Sequence, residues 1–278
     1  MSQPALPPPA ATLRPVRASY HTHVAGHGLP AMLAAAAEAG LDVVGISEHL
    51  FQFVEGRPLQ RAAPLDGPLG ELEEYVAQVR FTTLPGLRVC LGLEVDHLPA
   101  SAREVRALCA PHPWDYLLGA VHDVDGRPLQ AQRPGDLGEA WRVWRRYSLL
   151  LEEATCGGLC DILAHPLRLA RFLPPPPYLQ DLVGPALQAA AAHGVAVELN
   201  GADLADRPDL QAELLRWCRD AGCAVSLGAD AHRPADVAQN LAPAVGMLRG
   251  AGYSAATGFR GRRPVQEPLG AGPHPAGA

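Results

Sequence analysis

The chain has no lysine. All 23 of its basic residues are arginine, so any chemistry that needs a lysine amine is excluded: a Schiff base, a nucleotide-hydrolase phosphate loop, or a carboxylated-lysine metal bridge. Aromatic residues make up only 5% of the chain, and no basic block offsets a formal charge of −6. A nucleic-acid track needs clustered positive charge and, for single strands, stacking platforms, so the composition argues against a polyanion as the main partner. No uninterrupted apolar run reaches the roughly 18 residues of a membrane span, and the proline-rich start lacks the basic-then-apolar order of a signal peptide. No membrane partner and a cytoplasmic location are therefore expected. Six cysteines are scattered with no C-x-x-C pair, a pattern of reduced thiols rather than of a disulfide scaffold or a thiolate zinc site.

Apolar residues form 48% of the 278-residue chain, ample for a core. Residues 1–15 and 265–278 are rich in Pro, Gly and Ala and are expected to be disordered tails flanking a single domain over 16–264. Within it, helical patterns over 30–39, 69–84, 102–110, 137–155, 182–193, 210–221 and 236–248 alternate with strand-like runs. The runs are the lead-in before residue 20, then 41–46, 87–95, 116–121, 159–164, 195–199 and 224–229. Such alternation implies an α/β fold with parallel strands, and seven or eight of them close most naturally into a barrel. In a barrel of this kind the C-terminal strand ends form one rim, where sites are built.

The strand ends are where the chemistry gathers. His21 and His23 close the first run, and alternation along a strand puts both on one face, so two imidazoles can reach one ion. One such pair among 11 histidines arises easily by chance. Here the i, i+2 spacing recurs in Glu94/Asp96 and Asp230/His232, single histidines (His49, His122, His165) close other runs, and His27 follows in a Gly-flanked turn. Imidazole with carboxylate suits zinc, manganese or iron(II), and this set is too large for one tetrahedral ion. Two or three divalent ions sharing a carboxylate bridge fit better. Their charge would exceed that of the anionic ligands and favour an anionic substrate, above all a small phosphate ester.

The segments His21-Thr22-His23, Glu48-His49, Gly92-Leu93-Glu94, Gly119-Ala120-Val121-His122, Ala164-His165-Pro166 and Gly228 to Pro234 resemble, in order, the motifs of the polymerase-and-histidinol-phosphatase (PHP) superfamily. The resemblance runs from about residue 20 to 265 and is nearest the monofunctional histidinol-phosphatase branch. It implies a distorted (β/α)7 TIM-like barrel with a trinuclear site at the C-terminal strand ends. Carried over, one ion takes His21, His23, Glu94 and Asp230; a second takes Glu94 with His122 and His165; the third takes His27, His49 and His232. Ser19 stands where the family often has an acidic residue, and the interval from His23 to His27 is shorter than usual.

The implied activity is metal-dependent hydrolysis of a phosphate monoester, L-histidinol phosphate in that branch, with Glu94, Asp230 and His232 at the chemistry. Arg168 and Arg233, each close in sequence to a ligand, are expected to bind phosphate through their bidentate fork. Asn200 is expected to bind substrate or to position a ligand, a turn role being the alternative, and Asp96 to orient a histidine. Glu55, Asp123 and Asp125 are loop carboxylates that could meet the substrate amine. His97, His112 and His274 lack a strand-end setting. Competing readings are a PHP-type phosphodiesterase or exonuclease acting on nucleotides, a mononuclear amidohydrolase, and a non-catalytic metal-binding regulatory module. Oligomeric state leaves no mark in the sequence.

Overall fold

Runs such as Val43–Ile46 and Val225–Gly228 are buried along their whole length. Parallel strands wrapped by helices show this continuous burial, because both of their faces are covered. A computed structural model describes residues 17–60 and 69–270. In it β1 (Ala18–Ser19), β2 (Val43–Ile46), β3 (Arg88–Asp96), β4 (Tyr116–Ala120), a small ribbon of β5 (Asp123–Val124) with β6 (Arg127–Pro128), β7 (Ile162–Leu163), β8 (Ala196–Asn200) and β9 (Val225–Gly228) follow in order. Seven of them pair side by side as β1-β2-β3-β4-β7-β8-β9, every pairing parallel.

The sheet closes on itself beyond the ends of β1 and β9. Tyr20 N donates to Leu227 O at 2.8 Å, Asp230 N to His21 O at 2.9 Å and His23 N to Ala231 O at 2.8 Å. Ser19, at the position where an acidic residue was the family's habit, instead stitches this seam: its hydroxyl accepts from Ala229 N at 3.0 Å. Helices α1 (Leu29–Glu38), α2 (Leu72–Phe81), α3 (Ala102–Cys109), α4 (Leu137–Cys156), α5 (Leu179–His193), α6 (Gly201–Asp206), α7 (Pro208–Ala221) and α8 (Leu241–Gly250) complete the fold. Their ends follow local chemistry: Asp136 Oδ1 caps α4 by accepting from Glu139 N at 2.8 Å, and α5 stops at Gly194 in the left-handed region. No helix among the described residues is long and apolar enough to cross a membrane.

The barrel interior is packed by apolar side chains from six of the seven strands, among them Ala18, Val43, Cys90, Leu118, Ile162 and Ala196. Tyr116 fills its centre, and it can do so because β2 and β3 present glycine there. A Cβ on Gly45 would lie 2.1 Å from Tyr116 Oη, and one on Gly92 2.3 Å from its Cζ.

Three features depart from the sequence expectation. The last helix starts at Leu241, after a 3₁₀ turn over Pro234–Asp236, and the short helix α6 was not foreseen. Residues 265–268, expected to open a C-terminal tail, are instead part of an antiparallel hairpin of β10 (Ala255–Arg260) and β11 (Arg263–Pro268). Its turn residues Gly261 and Arg262 both have positive φ, 54° and 61°; the usual signal for such a turn is Asn-Gly or Asp-Gly. Arg262 holds this conformation through an ion pair to Asp161 at 3.0 Å. The expected tails over 1–15 and beyond 270 lie outside the described residues.

The hairpin plugs the end of the barrel opposite the rim, with Phe259 joining the interior cluster. Beneath it Tyr20 Oη donates to Glu267 Oε1 at 2.8 Å, and Arg88 bonds both Glu267 and Tyr20 Oη. Removing a buried acceptor leaves its donors unpaired. Glu267→Ala is therefore expected to lower stability by about 2 kcal/mol without altering metal content; urea unfolding together with metal analysis checks both.

Candidate metal centre

Six strand ends deliver the site. His21 and His23 follow β1, His49 follows β2, Glu94 and Asp96 end β3, His122 follows β4, His165 follows β7, and Asp230 and His232 follow β9. Two of these residues, His165 and Asp230, adopt positive φ of 27° and 55°. Such a backbone costs on the order of 1–3 kcal/mol for a residue with a side chain and is retained where surrounding structure imposes it. Here it turns the chain sharply at the strand exit and brings both side chains into the cluster.

Glu94 is the hub. Its carboxylate is fully buried, with His21 Nε2 at 3.1 Å, His49 Nδ1 at 2.9 Å, His165 Nε2 at 3.0 Å, His23 Nε2 at 3.5 Å and His122 Nε2 at 3.6 Å. On the other side Asp230 Oδ1 lies 3.3 Å from His23 Nε2 and 3.5 Å from His21 Nε2. The rings of His49 and His232 flank His23, each with its centroid at 4.2 Å. Donor atoms gather into four overlapping groups: His21/His23/Glu94, His21/His165/Asp230, His49/Glu94/His122 and His23/His49/His232.

A second layer of carboxylates fixes the imidazoles. Glu198 Oε1 is 2.7 Å from His21 Nδ1, and its other oxygen accepts from His165 N at 2.8 Å. It can reach His21 only because residue 228 is glycine: a Cβ there would lie 2.0 Å from Glu198 Oε1. Glu48 accepts from Val24 N, Ala25 N and His49 N at 2.7, 2.9 and 2.9 Å and meets His23 Nδ1 at 3.3 Å. Asp96 Oδ1 lies 2.6 Å from His122 Nδ1. In each case a carboxylate at Nδ1 turns Nε2 toward the cluster, the usual way in which a ligating histidine is oriented.

The electrostatics follow from burial against pairing. Burial alone would raise the pKa of Glu94, but His49, His21 and His122 outweigh it and hold the carboxyl well below its ordinary value. Asp230 is likewise held low, by His21 and Arg168 against its burial. Burial would lower His23, yet the Asp230 and Glu48 carboxylates beside its two ring nitrogens raise it to about 9. His165 and His232 go the other way, each down to about 4, through burial reinforced by Arg168 and by His23 respectively.

Eight of the nine expected ligands come together. The ninth, His27, does not: it is exposed and belongs to none of the four groups. The short interval explains this, because Gly28 N and His27 N both bond back to Val24 O, at 2.7 and 3.3 Å, closing a tight turn that leaves His27 outside. His23 takes its place beside His49 and His232. Arg233 is also away from the site; it is solvent-exposed and paired with Asp236 at 2.8 Å. Asn200 is fully buried with its amide already engaged: Oδ1 accepts from Asp203 N at 3.0 Å, and Nδ2 faces Glu198 at 3.1 Å and Asp230 at 3.4 Å. It caps α6 and positions a ligand instead of meeting substrate. Arg168 does lie beside the cluster, bonded to Asp230. Of the loop carboxylates, Glu55 accepts from Leu72 N at 3.1 Å, Asp125 pairs with Arg146 at 3.0 Å and Asp123 accepts from Gly126 N at 2.6 Å. The orienting roles of Glu198 and Glu48 were missed, although Glu198-x-Asn200 repeats the i, i+2 spacing at a strand end.

Divalent ions fit this donor set. His23 Nε2 and His49 Nδ1 are buried without a hydrogen-bond partner even though carboxylate oxygens lie within 3.5 Å. Donors and acceptors so close yet unaligned leave polar atoms unsatisfied at about 1–3 kcal/mol each, a cost that a cation between them removes. No protein-family model matches the chain. It is 31% identical over 264 residues to the probable histidinol-phosphatase of Deinococcus radiodurans, which covers 87% of this chain and 95% of that one. The chain belongs to the histidinol-phosphatase branch of the PHP superfamily. The fold agrees: the histidinol phosphate phosphatase of Lactococcus lactis subsp. lactis, crystallised with zinc, L-histidinol and phosphate, superposes with a TM-score of 0.75 at 18% identity. That match covers 90% of this chain and 98% of the other. The PHP barrel is thus the scaffold on which these ligands sit.

Two outcomes are expected of this PHP centre. Glu198→Gln, which weakens the hold on His21 Nδ1, lowers metal affinity by roughly 10- to 100-fold, read as metal retained after dialysis. At pH 7, His23, with its pKa raised to about 9, carries a proton until an ion claims its lone pair. Metal uptake therefore releases protons, and affinity climbs as pH rises toward about 9. Calorimetry in buffers of different ionisation enthalpy measures the release; a heat independent of buffer would contradict it.

Proposed function

We propose that this chain is a metal-dependent phosphatase that hydrolyses L-histidinol phosphate to L-histidinol and phosphate, using two or three divalent ions of the zinc, manganese or iron type. The observation that carries the reading is the convergence of eight imidazole and carboxylate ligands beside an arginine, in a chain 31% identical to a probable histidinol-phosphatase. Such ions, when bound, supply positive charge against the transferring phosphoryl group and make water a competent nucleophile near neutral pH.

The chain's own residues prepare that chemistry. Glu94 and Asp230 remain anionic at neutral pH, because their neighbours hold both carboxyls well below the ordinary range. They can ligate without first losing a proton. Glu198, Glu48 and Asp96 set the tautomers of His21, His23 and His122, so that the Nε2 lone pairs converge. Arg168, part-buried beside Asp230, is the guanidinium we assign to the ester's phosphate. His232, the most exposed member of the cluster with 45% of its side chain accessible, is the ligand we assign to the side from which substrate enters.

A phosphate-release comparison on metal-analysed protein tests the substrate. Histidinol phosphate is expected to exceed nucleoside monophosphates, a dinucleotide and p-nitrophenyl phosphate in kcat/KM by at least about tenfold. Equal rates on all of these would remove the substrate assignment, and a preference for the dinucleotide would replace it with a phosphodiesterase.

A further inference from the structure

Arg168 is held by a residue that lies in none of the sequence motifs. Asp203, 3% exposed, lies in the first turn of α6, where Asn200 Oδ1 fixes its backbone N–H at 3.0 Å. From there its Oδ1 stands 2.9 Å from Arg168 Nε. Through the neighbouring Nη2 the same guanidinium bonds Asp230 Oδ2. Neither Arg168 Nε nor either Asp203 oxygen has an aligned hydrogen bond, so the guanidinium is drawn between two buried carboxylates without seating fully on one.

The two contacts do different jobs. Asp230 turns Oδ1 toward His21 and His23, at 3.5 and 3.3 Å, and Oδ2 toward Arg168 and Asn200. A guanidinium is a planar fork, so a carboxylate at Nε sets the direction in which the opposite edge points. Among the described residues Nη1 of Arg168 has no hydrogen bond or ion pair, leaving that edge available to an anion. Without Asp203, no carboxylate stands at Arg168 Nε. Arg168 would close onto Asp230 as a two-bond pair, the favoured geometry of arginine with carboxylate, and turn its donors away from the rim.

We propose that Asp203 is the positioning residue of the phosphate subsite: it anchors Arg168 from behind so that the guanidinium edge meets the phosphate of the ester. This rests on the assignment of Arg168 to phosphate made above. It extends that assignment to a residue 35 positions away in sequence that touches neither ligand nor substrate.

The test is Asp203→Asn in metal-loaded protein whose metal content is measured. We expect KM for histidinol phosphate and for p-nitrophenyl phosphate to rise by about tenfold, the binding constant of inorganic phosphate read by calorimetry to weaken by the same factor, and kcat to move far less. Metal content stays at the wild-type level. In an Arg168→Ala background the Asp203→Asn change adds nothing to the loss of phosphate binding, since its effect passes through that arginine. Wild-type KM and phosphate affinity with only a lowered melting temperature would make Asp203 structural and overturn the proposal, as would additive losses in the double variant. Should Asp203→Asn fail to fold, Arg168→Lys carries the test. It keeps a positive charge near both carboxylates but lacks the fork, so the same weakening is expected, and unchanged phosphate affinity would overturn the proposal. Phosphate binding needs no turnover, and the two esters share only their phosphate. A protein with no preference for histidinol phosphate can therefore still bear out Asp203, and the reverse also holds.

Discussion

One carboxylate with almost no access to water organises this molecule. Glu94 sits at the end of β3 with five imidazole nitrogens within 3.6 Å, and an ionised carboxyl taken out of water costs several kcal/mol unless charge of the other sign compensates. Protonated histidines supply part of that compensation: Glu198, Asp230 and Glu94 together hold His21 above the ordinary imidazole value, and Asp230, Glu48 and Glu94 do the same for His23. Divalent ions supply it more fully. The same geometry makes the cluster a good receptor for cations, and the requirement extends outward: Glu198 and Glu48 meet the far nitrogens of His21 and His23 and themselves accept from backbone N–H groups.

The barrel satisfies that chain of requirements by closing. The hydrogen bonds that join the strand ends at 20–23 to those at 227–231 place Asp230 opposite His21 and His23, and the seam depends on Ser19 accepting from Ala229. Small residues are needed where large ones cross: Gly228 admits Glu198, and Gly45 and Gly92 admit Tyr116. The β10–β11 hairpin seals the opposite end, so that the rim is the end at which ligands and solvent meet.

Much of this was legible in the chain because strand ends advertise themselves. Each apolar run stops at a polar residue, and in a parallel barrel all those stops face one way, so His21, His49, Glu94, His122, His165 and Asp230 could be placed together from spacing alone. What failed was local. His27 has the right residue type and neighbourhood, but four residues after His23 suffice for a hydrogen-bonded turn, and the turn points it outward. Arg233 is adjacent to His232 in sequence, yet Asp236 three residues on captures its guanidinium. Asn200, expected to bind substrate or to position a ligand, takes the second role and also caps a helix of six residues that no periodicity revealed. The hairpin escaped notice because its turn is Gly-Arg, held by a distant aspartate and not by its own residue preferences.

By itself the sequence determined the parallel barrel and the strand-end residues, His27 apart, that gather at its rim. These follow from periodicity and residue chemistry, which are local. The tertiary structure decided which nitrogen of each histidine points inward, which arginine lies against the cluster, and which carboxylates stand behind. Those choices belong to side chains brought together from segments far apart in the chain, as Glu198 is to His21 and Asp203 to Arg168. Orientation at that level is set by what each donor finds within hydrogen-bond reach once the barrel has closed, and no spacing along the chain encodes it.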